Sequence, residues 1–268
     1  MPLPAVLLLG FLAGATIVLG MPLGRMRSTA PGLRTMLNAI AAGILLFIFW
    51  DVLAHAWEPI DAGLGDLHAG KGEVGTVLGL GLLFAAGLAV GLLGLTWYER
   101  WMVRRSGEEH LSPRRLALLI AIGIGLHNFA EGLAIGQSAA SGELQLAIVL
   151  VIGFALHNAT EGFGIVAPLA ADVDEQGHRR IPSWAQLLLL ALIGGGPTFL
   201  GTWVGTFFIS DVVSVLFLTL AAGSILYVVL QMIGIGMRAR RGDLVAYGVL
   251  IGLLAGFVTD AIVTAAGA

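Results

Sequence analysis

Cysteine is absent from all 268 residues, which excludes disulfide staples and thiolate metal sites. Charge is scarce: Asp, Glu, Lys and Arg together make 12% of the chain, about half the share of a soluble domain. Only three tyrosines occur, and no glycine-rich phosphate loop or basic tract of the kind that binds nucleotides or nucleic acid. Any work done by this chain therefore draws on a gradient rather than on ATP. The first 24 residues contain no Lys or Arg, and Arg25, Arg27 and Arg34 follow them. A secretory signal has the opposite order, so this segment reads as a retained first helix with its N-terminus outside.

What is abundant is apolar sequence. The chain is 57% hydrophobic with a mean hydropathy of +0.93, and runs of roughly 20 apolar residues, the length that crosses a bilayer, recur throughout. Eight spans fit, at roughly 4–24, 33–57, 75–101, 115–139, 144–170, 183–209, 212–236 and 243–266. This predicts an all-α integral membrane protein, residues 1–268 forming a single polytopic transmembrane domain. Thirteen of the fourteen Lys and Arg residues then fall at loops one, three, five and seven, leaving only Lys71 on the other side. Basic loops stay cytoplasmic, so both termini are expected to be extracytoplasmic. The loop after helix two, with Glu58, Asp61, Asp66, His68 and Glu73, is acidic and reads first as a solvated loop, second as a cation-gathering funnel. The inner segment holding Asp172, Asp174, Glu175 and His178 reads first as a solvated turn. Ala41-Ala42-Gly43 in helix two is echoed by Ala221-Ala222-Gly223 in helix seven, which runs the opposite way. The echo is consistent with inverted repeats, helices 1–3 and 6–8, around a central pair of helices four and five.

That central pair carries the chemistry. His-Asn-x-x-Glu-Gly occurs twice, as His127, Asn128, Glu131, Gly132 and as His157, Asn158, Glu161, Gly162. Residues four apart share one helix face, so each copy presents an imidazole beside a carboxylate. An ionised carboxylate in mid-bilayer costs about 2.5–3.5 kcal/mol on insertion scales, and no Lys or Arg occurs in the interior of any span to offset it. A divalent cation shared by both faces would balance the two carboxylates, with neutral imidazoles completing its shell. The plainer alternative is that His127–Glu161 and His157–Glu131 hydrogen-bond across the helix pair as interhelical glue, but glue needs one polar pair whereas a shared ligand set needs both. Asn128 and Asn158 either give carbonyl oxygens to an adjacent position or hold the helix contact. Gly132 and Gly162 allow close helix approach. Asp51, His55 and Glu58 share a face of helix two and form a second candidate metal-capture cluster, against the reading of interfacial residues beside Trp50 and Trp57. Gly194-Gly195-Gly196-Pro197 is expected to break or kink helix six. Asp260 and Gln231 are isolated polar residues with no assigned role.

Eight spans, outward termini and the paired motifs on helices four and five resemble the ZIP family of divalent-metal transporters. The resemblance covers the whole chain in topology, and its specific part is the two motifs. It implies metal binding at His127, Asn128, Glu131, His157, Asn158 and Glu161, a transport unit of helices 1, 4, 5 and 6 moving against a scaffold of 2, 3, 7 and 8, and a homodimer. Three positions depart from the family pattern: Ala130 and Thr160 stand where proline usually precedes the glutamate, and Gly196 stands where a second-metal glutamate often precedes proline. The inner loop between helices three and four offers His110 alone in place of a histidine-rich run. One principal metal position, and a straighter local shape of helices four and five at Ala130 and Thr160, are therefore expected. The resulting expectation is zinc uptake through the cytoplasmic membrane by alternating access, with no prosthetic cofactor and with Fe²⁺, Mn²⁺, Cd²⁺ or Co²⁺ as other possible cargo. The competing readings are an intramembrane metallohydrolase, disfavoured by the lack of His-Glu-x-x-His, and a metal-free structural or proton-conducting bundle.

Overall fold

The computed structural model describes residues 1–25, 31–107, 111–142, 144–174, 176, 178–207, 210–238 and 240–265; Arg27, His110 and Glu175 lie outside the described residues. Eight helices run along the chain: α1 (Leu3–Ala15, continued as 3₁₀ helix over Thr16–Arg25), α2 (Pro31–His68), α3 (Val74–Ser106), α4 (Pro113–Ala140), α5 (Leu144–Val166, continued as 3₁₀ helix over Ala167–Ala171), α6 (Trp184–Gly205), α7 (Asp211–Arg238) and α8 (Gly242–Ala265). All eight segments are long and apolar enough to cross a membrane. Among the described residues the β pairing is an isolated bridge between Val173 and Arg179.

Local chemistry sets the helix ends. Pro113 follows Ser112 at the start of α4, where proline's missing N–H has no intrahelical partner to lose. Ser183 caps α6 by accepting the amide of Gln186 at 3.1 Å. Gly107, at φ 69°, ends α3 in a left-handed conformation that a residue with a Cβ adopts at a cost.

Three expectations are corrected. α2 continues to His68, so Glu58, Asp61, Asp66 and His68 stand on helix rather than in a loop. Pro59 is tolerated because it leaves the His55 carbonyl without an amide partner only on an exposed stretch, where water can replace it. α6 is not broken: it is assigned as α-helix without interruption through the Gly194–Pro197 run. The Ile193 carbonyl, deprived of its amide donor by Pro197, lies against Gly125 of α4. Finally α1 tightens into 3₁₀ geometry after Ala15, a change with no periodic signal in the sequence.

Two packed sets organise the molecule. α4 packs on α6 and α5 on the α1 segment, while α2 packs on α8 and α3 on α7; α4 also rests on α7, and α2 on α7. Small residues make these crossings close. Gly43 of α2 meets Val249 and Leu253 of α8, and Gly223 of α7 meets Leu88 and Leu92 of α3. Gly14 of α1 and Gly195 of α6 face each other's carbonyls. At one end of the molecule, polar ties join the connections. Arg25 donates to the Pro182 carbonyl, Arg179 to the Gly24 carbonyl at 2.8 Å, and Arg114 pairs with Asp172 at 2.6 Å. Asp174 Oδ1 accepts the amides of Gln176 and His178, so this inner segment is a hydrogen-bonded turn.

Candidate metal site between α4 and α5

Both motif copies lie on unbroken α-helix despite Ala130 and Thr160 in place of proline, so the four-residue spacing aims His127 with Glu131, and His157 with Glu161, along single faces. The two faces meet. His157 Nε2 is 2.5 Å from Glu131 Oε1, and His127 Nε2 is 2.9 Å from the same oxygen. His127 Nε2 also lies 3.7 Å from Glu161 Oε1. Donor atoms of His127, His157 and Glu161 all fall within 4.8 Å of one another. His127 is 0% exposed, Glu131 5% and Glu161 1%, so ionised forms must be compensated inside the protein.

Interhelical hydrogen bonding accounts for one His–Glu contact, His157 Nε2 with Glu131 Oε1, and leaves other atoms of the cluster over. His127 Nδ1, Glu131 Oε2 and Glu161 Oε1 are buried without a hydrogen-bond partner, and His127 Nε2, though 2.9 Å from Glu131 Oε1, is not aligned to hydrogen-bond it. A buried polar atom left this way costs about 1–3 kcal/mol, and these atoms belong to three residues of the same cluster. Neutral imidazole nitrogens and carboxylate oxygens are the donors that a borderline-soft divalent ion takes. The asparagines do something different. Asn128 donates to the Gly194 carbonyl of α6 at 2.9 Å and to Glu161 Oε2 at 3.3 Å. Asn158 donates to the Ala13 carbonyl of α1 at 3.1 Å. Both tie the central pair to its flanking helices, and each leaves a buried Oδ1 without a partner. Gly132 and Gly162 permit close approach as expected, but to α6 at Thr198 and Thr202 and to the α1 segment at Ile17 and Gly20, not to each other's helix.

A cavity of about 460 Å³ adjoins the cluster and is lined by residues of α2, α4, α5, α7 and α8. His127, Glu131 and His157 form its floor, and Asp51, His55 and Asp260 line its walls. Asp51 and His55 pair at 3.6 Å, with His55 Nδ1 also 2.9 Å from the Asp51 carbonyl oxygen. Glu58, the third expected member of that face, is exposed and does not line the cavity. Asp260 is a residue that sequence reading missed: it stands alone on α8 and becomes part of the site only because α8 packs against α2. Ile17, Met21, Ile124, Ile165, Leu169 and Leu187 belong to one packed apolar core, each at most 1% exposed. Gln231 also finds a partner, donating to Glu99 Oε2 at 2.8 Å beside Tyr227, whose hydroxyl donates to the same oxygen at 3.0 Å.

Sequence comparisons agree with the geometry. The family model described as ZIP Zinc transporter matches residues 99–235, a stretch that includes both motifs. The zinc transporter ZupT of Shigella dysenteriae serotype 1 (strain Sd197) is 35% identical over 200 residues, covering 71% of this chain and 70% of that protein. Eight membrane-length helices, paired motifs and this likeness together assign the chain to the ZIP zinc-transporter family, whose members are multi-pass membrane transporters rather than enzymes.

Proposed function

We propose that this protein carries a divalent transition-metal ion, zinc foremost, through the cytoplasmic membrane into the cell, using His127, Glu131, His157 and Glu161 as its principal ligands. The observation that carries the reading is the convergence of two imidazoles and two carboxylates, with His127 Nδ1, Glu131 Oε2 and Glu161 Oε1 buried without a hydrogen-bond partner. Asn128 and Asn158 hold the pair in register and lend their free carbonyl oxygens to the rim of the site. Transport follows by alternating access: the 460 Å³ cavity admits the ion from outside, and the packed apolar core of Ile124, Ile165 and their neighbours opens on the other half of the cycle.

The orientation rests on the arginine-rich connections facing the cytoplasm, with both termini outside. An inverted-repeat relation between helices 1–3 and 6–8 is supported by matched contacts. Gly43 packs on α8 as Gly223 packs on α3; Asn158 bonds Ala13 as Asn128 bonds Gly194; Gly162 packs on Ile17 as Gly132 packs on Thr198. In the same registers Asp51 corresponds to Gln231 and Asp260 to Glu99. The set α1, α4, α5 and α6, cross-tied at Arg25, Arg114 and Arg179, is then the moving unit, and α2, α3, α7 and α8 the frame. By the family likeness the working form is a homodimer in the bilayer, which mass photometry of the purified protein measures.

Uptake into proteoliposomes tests the reading. Saturable uptake of Zn²⁺ is expected, with Fe²⁺, Mn²⁺, Co²⁺ and Cd²⁺ ranked beside it in the same assay. The double variant His127→Ala/His157→Ala should be inactive. No uptake of any of these ions, or equal uptake by the variant, would overturn the proposal. Asp51 and Asp260 act earlier, by gathering cations at the cavity wall. Asp51→Asn/Asp260→Asn is expected to raise KM for zinc about three- to tenfold with kcat within about twofold, the pattern of lost steering rather than lost chemistry. A fall in kcat at unchanged KM would place them elsewhere in the cycle.

A further inference from the structure

The arginine-bearing end contains a second cavity of about 400 Å³, remote from the His–Glu cluster. Glu99, Arg100 and Arg104 of α3 line it, with Gln231 and Arg238 of α7 and Leu116 of α4. Arg100 and Arg104 are four apart on one helix, so both guanidinium groups project over the same opening. Among the described residues, Arg100, Arg104 and Arg238 make no ion pair. Glu99, whose Oε2 accepts from Tyr227 and Gln231, sets one negative charge against three positive ones, so the lining keeps a net positive charge. Three guanidinium groups without an ion pair among the described residues surround the recess and form an anion site, and their planar forks suit the oxygens of a phosphate.

The depth of the recess says which phosphate. Trp97 and Trp101 are exposed on α3 at the same level, Trp101 stacks on Tyr98 at 5.6 Å, and Arg105 lies over the Trp101 ring at 4.6 Å. Exposed indoles beside arginines mark the headgroup layer of a bilayer. The wall opposite the arginines is apolar, supplied by Leu111 and Leu116. We infer that this cavity binds the phosphate headgroup of an anionic membrane phospholipid. Its walls come from both packed sets, α3 and α7 on one side and α4 on the other, so a bound lipid bridges the frame and the helix that carries His127 and Glu131. The inference does not depend on which ion is carried, or on whether one is.

The test uses the purified full-length protein, stripped of lipid in phosphate-free detergent, with binding read by native mass spectrometry and by thermal unfolding. Phosphatidylglycerol is expected to bind and to raise the unfolding temperature, and phosphatidylcholine to do neither. Arg100→Ala/Arg104→Ala/Arg238→Ala should weaken phosphatidylglycerol binding about a hundredfold. The corresponding triple lysine variant should keep much of the binding, because the charge remains. Arg240→Ala/Arg241→Ala, at the same end but outside the cavity, should stay within about threefold of wild type. Should the triple alanine variant fail to fold, Arg238→Ala alone is expected to lose about fivefold. Unchanged binding by the arginine variants, or an equal loss in the Arg240/Arg241 control, overturns the site. Stabilisation by inorganic phosphate equal to that by phosphatidylglycerol overturns the lipid assignment.

Discussion

Glu131→Ala is expected to reduce zinc affinity by more than a hundredfold and to abolish uptake. Glu131 Oε1 lies within 3 Å of both motif histidines, at 2.5 Å from His157 and 2.9 Å from His127. Removing it takes away a proposed ligand and one negative charge, and leaves the buried His127 and half-buried His157 imidazoles with Glu161 as the remaining carboxylate of the cluster. Truncating one partner of a buried charged network costs about 3–5 kcal/mol, which corresponds to a factor of a hundred or more in binding. Glu131→Gln separates charge from shape. The amide fills the same volume and offers a carbonyl oxygen, so the protein should fold with normal yield while binding zinc about tenfold more weakly. Titration calorimetry on the purified variants measures both values. Zinc binding by Glu131→Ala within about threefold of wild type would mean that the ion sits elsewhere.

The reason Glu131 could be singled out from sequence is geometric. A four-residue spacing inside an apolar helix fixes two side chains on one face, and a second copy thirty residues on fixes a second face, so the cluster was legible without coordinates. The count of spans was equally legible, because apolar run length and arginine placement are independent signals that agree at Arg25, Arg100, Arg114, Arg179 and Arg238. What escaped notice depends on which helices become neighbours. Asp260 is a lone acidic residue on α8, and nothing in its local sequence marks it until α8 lies against α2 and brings it to the cavity of Asp51 and His55. Gln231 likewise gains meaning only through Glu99 and Tyr227.

The boundary errors have physical causes too. α2 continues past the bilayer length, and beyond Trp57 its residues turn polar, which imitates a loop even though helix persists to His68. The Gly194–Pro197 run carries strong helix-breaking composition, yet tertiary packing overrides propensity there. Gly194 accommodates Ile17, Ile124 and Ile165, and Gly195 accommodates Gly14. The same residues that weaken an isolated helix are those that let three helices converge beside the His–Glu cluster. Asn128 shows the coupling directly, since one amide touches both the Gly194 carbonyl and Glu161.

That coupling makes Gly162→Val the second large effect expected. Gly162 adjoins Glu161 in sequence and presses on the backbone of the α1 segment at Ile17 and Gly20. A branched side chain there has no flexible neighbour to displace, because the atoms it meets are main chain. Overpacking of this kind costs about 1–3 kcal/mol where the surroundings can yield, and more where they cannot. Relief requires α5 to move away from α1, which carries Glu161 out of reach of His127 and pulls Asn158 from the Ala13 carbonyl. Gly162→Val should therefore lose both thermal stability and zinc uptake. Gly79→Val is the matched control: Gly79 is exposed on α3, with open space where a Cβ would stand. It should unfold within about a degree of wild type and transport normally, since lipid-facing substitutions between apolar residues alter no helix contact. A Gly162→Val protein that melts and transports like wild type would show that α5 has no need of its close seat on α1. In that case the position of Glu161 would have to be set by the Asn128 bond alone.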